Sequence, residues 1–542
     1  MGHSQWYKHA VFYQVYIRAF ADSNADGHGD LRGLTAKLDY FRDLGVDCLW
    51  LMPFYPSPLK DDGYDVADYL SIHPDYGTLD DFKVFLSEAH ARGLRVITDL
   101  VLNHTSDQHP WFQAARSSRT SPYRDYYVWS DTDQKYADVR IVFSDTETSN
   151  WAWDETTQQY YWHRFYSHQP DLNYDNPAVR QAMLDVVKFW LDLGVDGFRA
   201  DAVPNLFERE GTLCENLPET HAYLKEIRRF MDERYSDRIL LAEANQWPED
   251  LRAYFGDGDE FHMCFHFPIM PRIYLALGQG KAESLNWILQ RTPSIPDNCQ
   301  WGMFLRNHDE LSLEMVSADE HQWLWQQYAP DPQMRFGVGI RRRLAPLFNG
   351  DQRKIVLAYS LLFTLPGSPI IYYGDEIGMG DNVRLTDRNG VRTPMQWTDQ
   401  PNAGFSTAPA SKLYAPVIDD DRFGYRQTNV AIQREVADSL WRTLNRMIQV
   451  RREHLVLSVG QFELLSLDNP AVLAFVRSDQ TETVVAVHNL SAAAHSIELD
   501  LKRWSGQSVH NLLTALNLPN VTDRLYTLTL QSNQANWLQL RA

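Results

Sequence analysis

Arg199 and Asp201 stand two residues apart in the apolar run Gly197-Phe198-Arg199-Ala200-Asp201, so on a strand both side chains point to the same side. A cation beside a carboxylate favours its charged form. An ionised carboxylate at the C-terminal end of a strand is a candidate nucleophile. Taken alone, the two residues read more simply as a structural ion pair closing a strand. Three further strand-like runs change that balance: Asp99 and His104 end one, Glu243 another, and His308 with Asp309 a third. Charges aimed at one place are costly to bury unless something uses them. Four carboxylates and two histidines, with no cysteine ligand set and no glycine-rich phosphate loop, suggest glycosidic chemistry. That chemistry needs one carboxyl kept protonated and one ionised. Arg199 marks Asp201 as the ionised partner. Glu243 lies in an apolar run with no adjacent cation, so a raised pKa and an acid/base role are expected for it.

The elements that must carry these residues alternate. Strand-like runs cover 11–17, 47–53, 94–104, 197–201, 238–245, 261–267, 301–309 and 368–376. Helical spacing covers 31–45, 79–93, 178–194, 221–235 and 352–365, the first three ending in glycine. Near-continuous apolar strands alternating with capped helices predict a parallel sheet covered by helices. Eight such units predict an α/β fold of the (β/α)8 TIM-barrel type, with its site at the strands' C-terminal ends. The barrel is expected over 1–104 and 176–455. Residues 105–175, rich in Trp, Tyr, Asp and Ser, read as an inserted subdomain after strand 3, and 310–350 as a lid insertion after strand 7. From 456 to 542 short alternating runs predict a C-terminal antiparallel β-sandwich.

Composition narrows the function classes. The chain has 542 residues and a formal net charge of −20, and no basic patch suits it to nucleic acid. The run Arg341-Arg342-Arg343 is too short to alter that. Four scattered cysteines lack metal-ligand spacing and read as reduced, buried thiols of a cytoplasmic protein. The N-terminus shows no secretory signal, and no apolar run is long enough to span a membrane.

DLVLNH (99–104), GFRADAV (197–203), AEAN (242–245), RNHDE (306–310) and QPDLN (169–173) together resemble the motif stretches of the α-amylase family of glycoside hydrolases. The resemblance implies Asp201 as nucleophile, Glu243 as general acid/base and Asp309 as transition-state stabiliser. It implies that Arg199, His104, His308, Phe165 and Gln169 hold the sugar. DDGYD (61–65) is similar to the family's non-reducing-end pocket, with Tyr64 under the ring and Asp61 on a hydroxyl. GVRTPMQW (390–397) implies Arg392 beside Asp61. Such a pocket closes after one glucose and favours short substrates. Within the family, the stretches 203–221, 261–278, 335–347 and 368–382 resemble the maltose-isomerising glucosyltransferases, although Asn205 stands where Tyr is expected. The alternative is a hydrolytic α-glucosidase acting on short α-glucosides.

Asp22, Asn24, Asp26 and Asp30 alternate in a glycine-bent loop, a pattern that suits Ca²⁺, although the bidentate Glu of an EF-hand is missing. The family resemblance implies Ca²⁺ or Mg²⁺ there, with His28 giving its carbonyl. It implies a second ion at Asn103, Asp171 and Glu208 with the carbonyls of Asn205 and Leu206. Both ions would be structural, and no organic cofactor is expected. The expected partners are a disaccharide substrate, a second copy or three (homodimer or homotetramer) and a maltokinase.

Overall fold

The computed structural model describes residues 5–541. Eight strands close into a barrel: β1 (Phe12–Val15), β2 (Cys48–Leu51), β3 (Arg95–Val101), β4 (Gly197–Asp201), β5 (Ile239–Ala242), β6 (Met263–Phe265), β7 (Gln300–Phe304) and β8 (Ser368–Tyr372). All neighbours are parallel, and β8 returns to β1 with Phe12 opposite Ile370. The strands are buried along almost their whole length, which is why they read as continuous apolar runs rather than alternating ones. They are shorter than those runs. The run 94–104 stops pairing in the barrel at Val101, and the next residues turn over the mouth, where His104 bridges Asp171.

The helices end where their caps dictate. Thr78 and Asp81 form a reciprocal capping box at the start of Leu79–Ala91. Gly194, at φ 108°, closes Pro177–Leu193 in a left-handed conformation that costs glycine little. The single helix expected over 31–45 is two, Leu31–Ala36 and Leu38–Leu44. Thr35 Oγ1 donates back to the Leu31 carbonyl at 2.6 Å, an interaction that bends helices.

Residues 105–175 hold the helix Pro110–Ala115 and a three-stranded sheet in which Gln159–Trp162 lies between Trp129–Ser130 and Trp151–Asp154. Residues 310–350 hold the helix Ala318–Tyr328, which the sequence reading did not find, and a small hairpin, Arg335–Phe336 with Gly339–Ile340. The two insertions touch: Gly337 N–H donates to Asp145 Oδ2 at 3.0 Å, and the rings of Phe143 and Phe336 are 6.1 Å apart.

The C-terminal region is antiparallel, with a six-stranded sheet and a two-stranded sheet. Along Val472–Ser478, Val472, Ala474 and Val476 pack between the sheets, while Leu473 and Phe475 pack against the barrel's core. The period of two thus serves two cores at once. The strand Ala535–Arg541, absent from the sequence reading, lies inside this sheet between Thr483–Asn489 and Ser508–Asn511. All four cysteines are free and buried. Among the described residues no helix is long and apolar enough to cross a membrane.

Candidate active site

Parallel register places Asp99 on β3 directly opposite Arg199 on β4, with Val101 opposite Asp201. Arg199 is therefore shared. Its Nη1 donates to Asp99 Oδ1 and to Asp201 Oδ1, each at 2.6 Å. Its Nη2 lies 2.7 Å from Glu243 Oε2, at the end of neighbouring β5. This corrects the expectation that Glu243 has no adjacent cation. Strand neighbours are remote in sequence, so only the register reveals the contact. Ala202, at φ 47°, turns the chain sharply after Asp201 and donates its N–H to Glu243 Oε2 at 3.2 Å. A non-glycine residue held in this region stores strain, and such strain clusters at functional sites. Trp50 Nε1 and Tyr64 Oη donate to Asp99 Oδ2 at 2.9 and 3.3 Å, completing the support behind Arg199.

Burial raises the Asp201 carboxyl to about 6, with Arg199 opposing and Asp99 adding to the rise. Burial raises Glu243 further, to about 8; Arg199 again opposes, while Asp201 and Asp309 add to it. The two carboxyls are thus pushed apart, Asp201 ionising first, although desolvation and not a missing cation raises Glu243. One guanidinium holds both, Asp201 through Nη1 at 2.6 Å and Glu243 through Nη2 at 2.7 Å. Sharing one guanidinium keeps the two carboxyls near each other, which suits the close pair of about 5–5.5 Å that retaining chemistry uses. Burial would raise Asp309 too, but His308, Arg388, Arg392 and Arg199 hold it well below the usual carboxylate range. Burial keeps His104 and His308 neutral, lowering His104 to about 3.

These residues line a cavity of about 180 Å³, below the roughly 300–1,000 Å³ typical of ligand pockets and suited to a small substrate. Asp61 closes its inner end. Arg388 Nη2 donates to Asp61 Oδ1 at 2.7 Å, Arg388 Nη1 to Asp309 Oδ1 at 2.6 Å, and Gln169 Nε2 to Asp61 Oδ2 at 2.9 Å. The cation on Asp61 is therefore Arg388, which the sequence reading missed. Arg392 instead pairs with Asp62, donates to the His308 carbonyl at 2.9 Å and reaches Asp309 Oδ1 at 3.1 Å. The two arginines are one helical turn apart in a loop, and only the loop's path decides which faces the cavity. Tyr64 stacks on His308, rings 5.1 Å apart and 10° from parallel. Phe165 packs on His104 at 5.3 Å, and His104 Nε2 lies 3.2 Å from the Tyr64 carbonyl. Gln14 on β1, also unforeseen, places its Nε2 2.7 Å from His308 Nδ1.

The outer end is roofed by both insertions. Arg140 Nη1 donates to Glu314 Oε1 at 2.7 Å, and Asn245 Nδ2 donates to Glu314 Oε2 at 2.6 Å and to Ser312 Oγ at 3.0 Å. Arg140 also reaches Glu215 at 3.2 Å. The sequence reading singled out none of Arg140, Glu215, Asn245 and Glu314 as site residues.

The two expected ion sites differ. Near the mouth, Asn103 Oδ1, Asp171 Oδ2 and Glu208 Oε1 are all buried without a hydrogen-bond partner. Burial raises Asp171 to about 8 and lifts Glu208 well above its ordinary value, with the charge of Asp171 adding to the rise in Glu208. Orphaned hard oxygens of this kind fit a cation such as Ca²⁺. Asn205 lines the cavity, its amide donating weakly to the Ala202 carbonyl at 3.4 Å. In the 22–30 loop the oxygens are engaged locally. Asp22 accepts from Asn24, Ala25 and Gly27 N–H, Asp26 Oδ1 from His28 N–H, and Asp30 from Ser23 and Gly33. The fit there rests on the donor chemistry alone.

Residues 14–329 and 340–460 match the family model of the alpha amylase catalytic domain, and 462–537 that of the maltogenic amylase C-terminal domain. The chain is 56% identical to trehalose synthase/amylase TreS of Mycolicibacterium smegmatis, over 99% of this chain and 93% of that protein. It is 53% identical to a trehalose synthase of Pimelobacter sp., over 99% and 96%. Among solved structures it is similar to an inactive double mutant of MutB in complex with isomaltulose, with a TM-score of 0.81, 30% identity and full coverage of both chains.

Proposed function

The chain belongs to the α-amylase family of glycoside hydrolases, and we propose that it is a trehalose synthase, interconverting maltose and trehalose by intramolecular glucosyl transfer. The observation that carries this reading is a small cavity capped at its inner end by Asp61–Arg388 and bridged at its mouth by the Arg140–Glu314–Asn245 contacts, which narrow the way out. A hydrolase gains nothing from retaining its leaving group. An isomerase must keep it, and a held partner competes with water through its high effective molarity.

The chemistry follows from the carboxyl pair. Ionised Asp201 attacks the anomeric carbon of maltose's non-reducing glucose while the bond to the other glucose breaks. Glu243 gives its proton to the departing oxygen. The glucosyl group is now bonded to Asp201 with inverted configuration. Asp309, the most acidic of the three, faces the positive charge that develops at the ring. Arg199, shared by Asp99, Asp201 and Glu243, fixes their spacing. The freed glucose turns inside the cavity and presents its own anomeric hydroxyl. Glu243, now a carboxylate, takes that proton as the oxygen attacks, and a second inversion gives the α,α-1,1 bond and restores Asp201. No water is consumed. Water that reaches the intermediate yields glucose as a minor product.

A structural Ca²⁺ at Asn103, Asp171 and Glu208, with the carbonyls of Asn205 and Leu206, would neutralise two buried carboxyls and brace the segments bordering the cavity. A second ion, Ca²⁺ or Mg²⁺, would sit among Asp22, Asn24, Asp26, Asp30 and the His28 carbonyl. Neither supplies a step in the reaction. The same reading extends to a cytoplasmic setting, a homodimer or homotetramer, and a maltokinase as partner. Incubation with maltose tests it: trehalose as the main product supports the isomerase, and glucose as the main product supports a hydrolytic α-glucosidase.

A further inference from the structure

Gln14 stands among Phe12, Tyr13 and Val15 on β1 and is wholly buried. Burying an amide is costly unless its hydrogen bonds are replaced. Here they are replaced only in part. Oε1 has no partner, and the side chain's one hydrogen bond among the described residues joins Nε2 to His308 Nδ1 at 2.7 Å. The imidazole it meets is fixed on every side. Trp50, opposite Gln14 in the register of β1 and β2, stands edge-on to it at 6.0 Å and 87°. Tyr64 covers its face at 5.1 Å, and Arg392 Nε donates to the His308 carbonyl at 2.9 Å. The freedom left to the ring is which nitrogen carries its proton.

Its surroundings decide that. Nε2 lies 3.1 Å from Asp309 Oδ2, and Asp309 is ionised between Arg388 Nη1 at 2.6 Å and Arg392 Nη2 at 3.1 Å. A charged acceptor therefore faces Nε2, which must carry the proton. Burial outweighs the pull of Asp309 and, with the charges of Arg392, Arg199 and Arg388, keeps the ring neutral. A neutral imidazole has a single N–H, so Nδ1 is bare and needs a donor. Only the NH2 of Gln14 supplies one; with the amide turned over, Oε1 would set lone pair against lone pair. We infer that Gln14 is a positioning residue of the reaction, its amide holding His308 in the form protonated at Nε2 so that the ring presents a neutral donor to Asp309 and to the cavity. Steadied in this way, Asp309 keeps a charged oxygen turned to the positive charge that develops on the sugar. Both displacements pass through that charge, so loss of the amide slows trehalose and glucose formation together. The inference rests on the reading of Asp309 given above.

The test reads the ring directly. In two-bond ¹H–¹⁵N spectra of the protein labelled in its histidines, His308 is the signal that His308→Asn removes. The parent shows one ring proton, on Nε2, with Nδ1 bare. Gln14→Glu has the same shape but accepts instead of donating, and it draws a proton onto Nδ1. Gln14→Met fills the space with no donor. Both variants lower kcat on maltose at least about tenfold, the scale of one buried group left unmatched. KM changes little, because Gln14 is not among the residues lining the cavity, and the ratio of trehalose to glucose stays that of the parent. A proton on Nδ1 in the parent, alone or with one on Nε2, would overturn the inference whatever the variants do. So would a variant that melts as the parent does and keeps the parent's kcat. A variant that fails to fold leaves the parent's spectrum to decide. Asp309→Asn with the parent's rate would sink the reading of Asp309 itself, and a parent that makes only glucose from maltose would sink the isomerase; neither result alters which nitrogen of His308 is protonated.

Discussion

Arg140 and Glu314 come from different insertions and meet in an ion pair of 2.7 Å across the outer end of the cavity. Their side chains are 53% and 25% exposed, so the pair is a weak bond that can open and close, not a stability element. Arg140→Ala should leave the fold intact and raise the ratio of glucose to trehalose from maltose several-fold. Chromatography of the products checks this. An unchanged ratio would remove the roof from the account.

Asp201→Asn removes the attacking oxygen and leaves Arg199 with Asp99 and Glu243. Turnover on maltose should drop by at least about 10⁴-fold, as when a nucleophile is deleted. The circular dichroism spectrum should match that of the parent. Activity near the parent's would assign the nucleophile elsewhere.

The pH profile follows from two carboxyls with opposite requirements. Asp201, at about 6, must be ionised, so kcat/KM should fall below that pH as it takes up a proton. Glu243, at about 8, must be protonated, so kcat/KM should fall above that pH as it loses its proton. The apparent values belong to the coupled pair rather than to either residue. Glu243→Gln, assayed on an aryl glucoside whose leaving group needs no acid, should lose the alkaline limb. Its persistence would assign that limb to another group.

Chelation tests the ion proposed at Asn103, Asp171 and Glu208. EDTA should lower the melting temperature clearly while leaving turnover nearly unchanged at a temperature where the protein stays folded, because the ion takes no part in the reaction. Loss of turnover without loss of stability would indicate a catalytic metal instead.

The barrel was legible because buried parallel strands leave unbroken apolar runs, and ionisable residues at their ends stand out against them. Asp99, Asp201, Glu243 and Asp309 were found in this way. Arg388 escaped because it lies on a loop whose path has no periodic signature, and Arg392, four residues on, was chosen instead. The contact between Arg199 and Glu243 escaped because it depends on the side-by-side placement of β4 and β5. Arg140 and Glu314 look like solvated charges until two separate insertions are folded over one mouth. Gln14 was hidden as a lone polar residue in an apolar strand. The strand Ala535–Arg541 was missed although it lies inside its sheet, because its alternation is broken by consecutive Trp537 and Leu538, each fully buried in a different core.

The most direct measurement supplies maltose together with an excess of uniformly ¹³C-labelled glucose and follows the mass of the trehalose formed at early times. If the severed glucose is kept inside the cavity, the early trehalose carries no label. Singly labelled trehalose as the main early product would show that the glucose leaves and is replaced from solution, and that the cavity does not contain it.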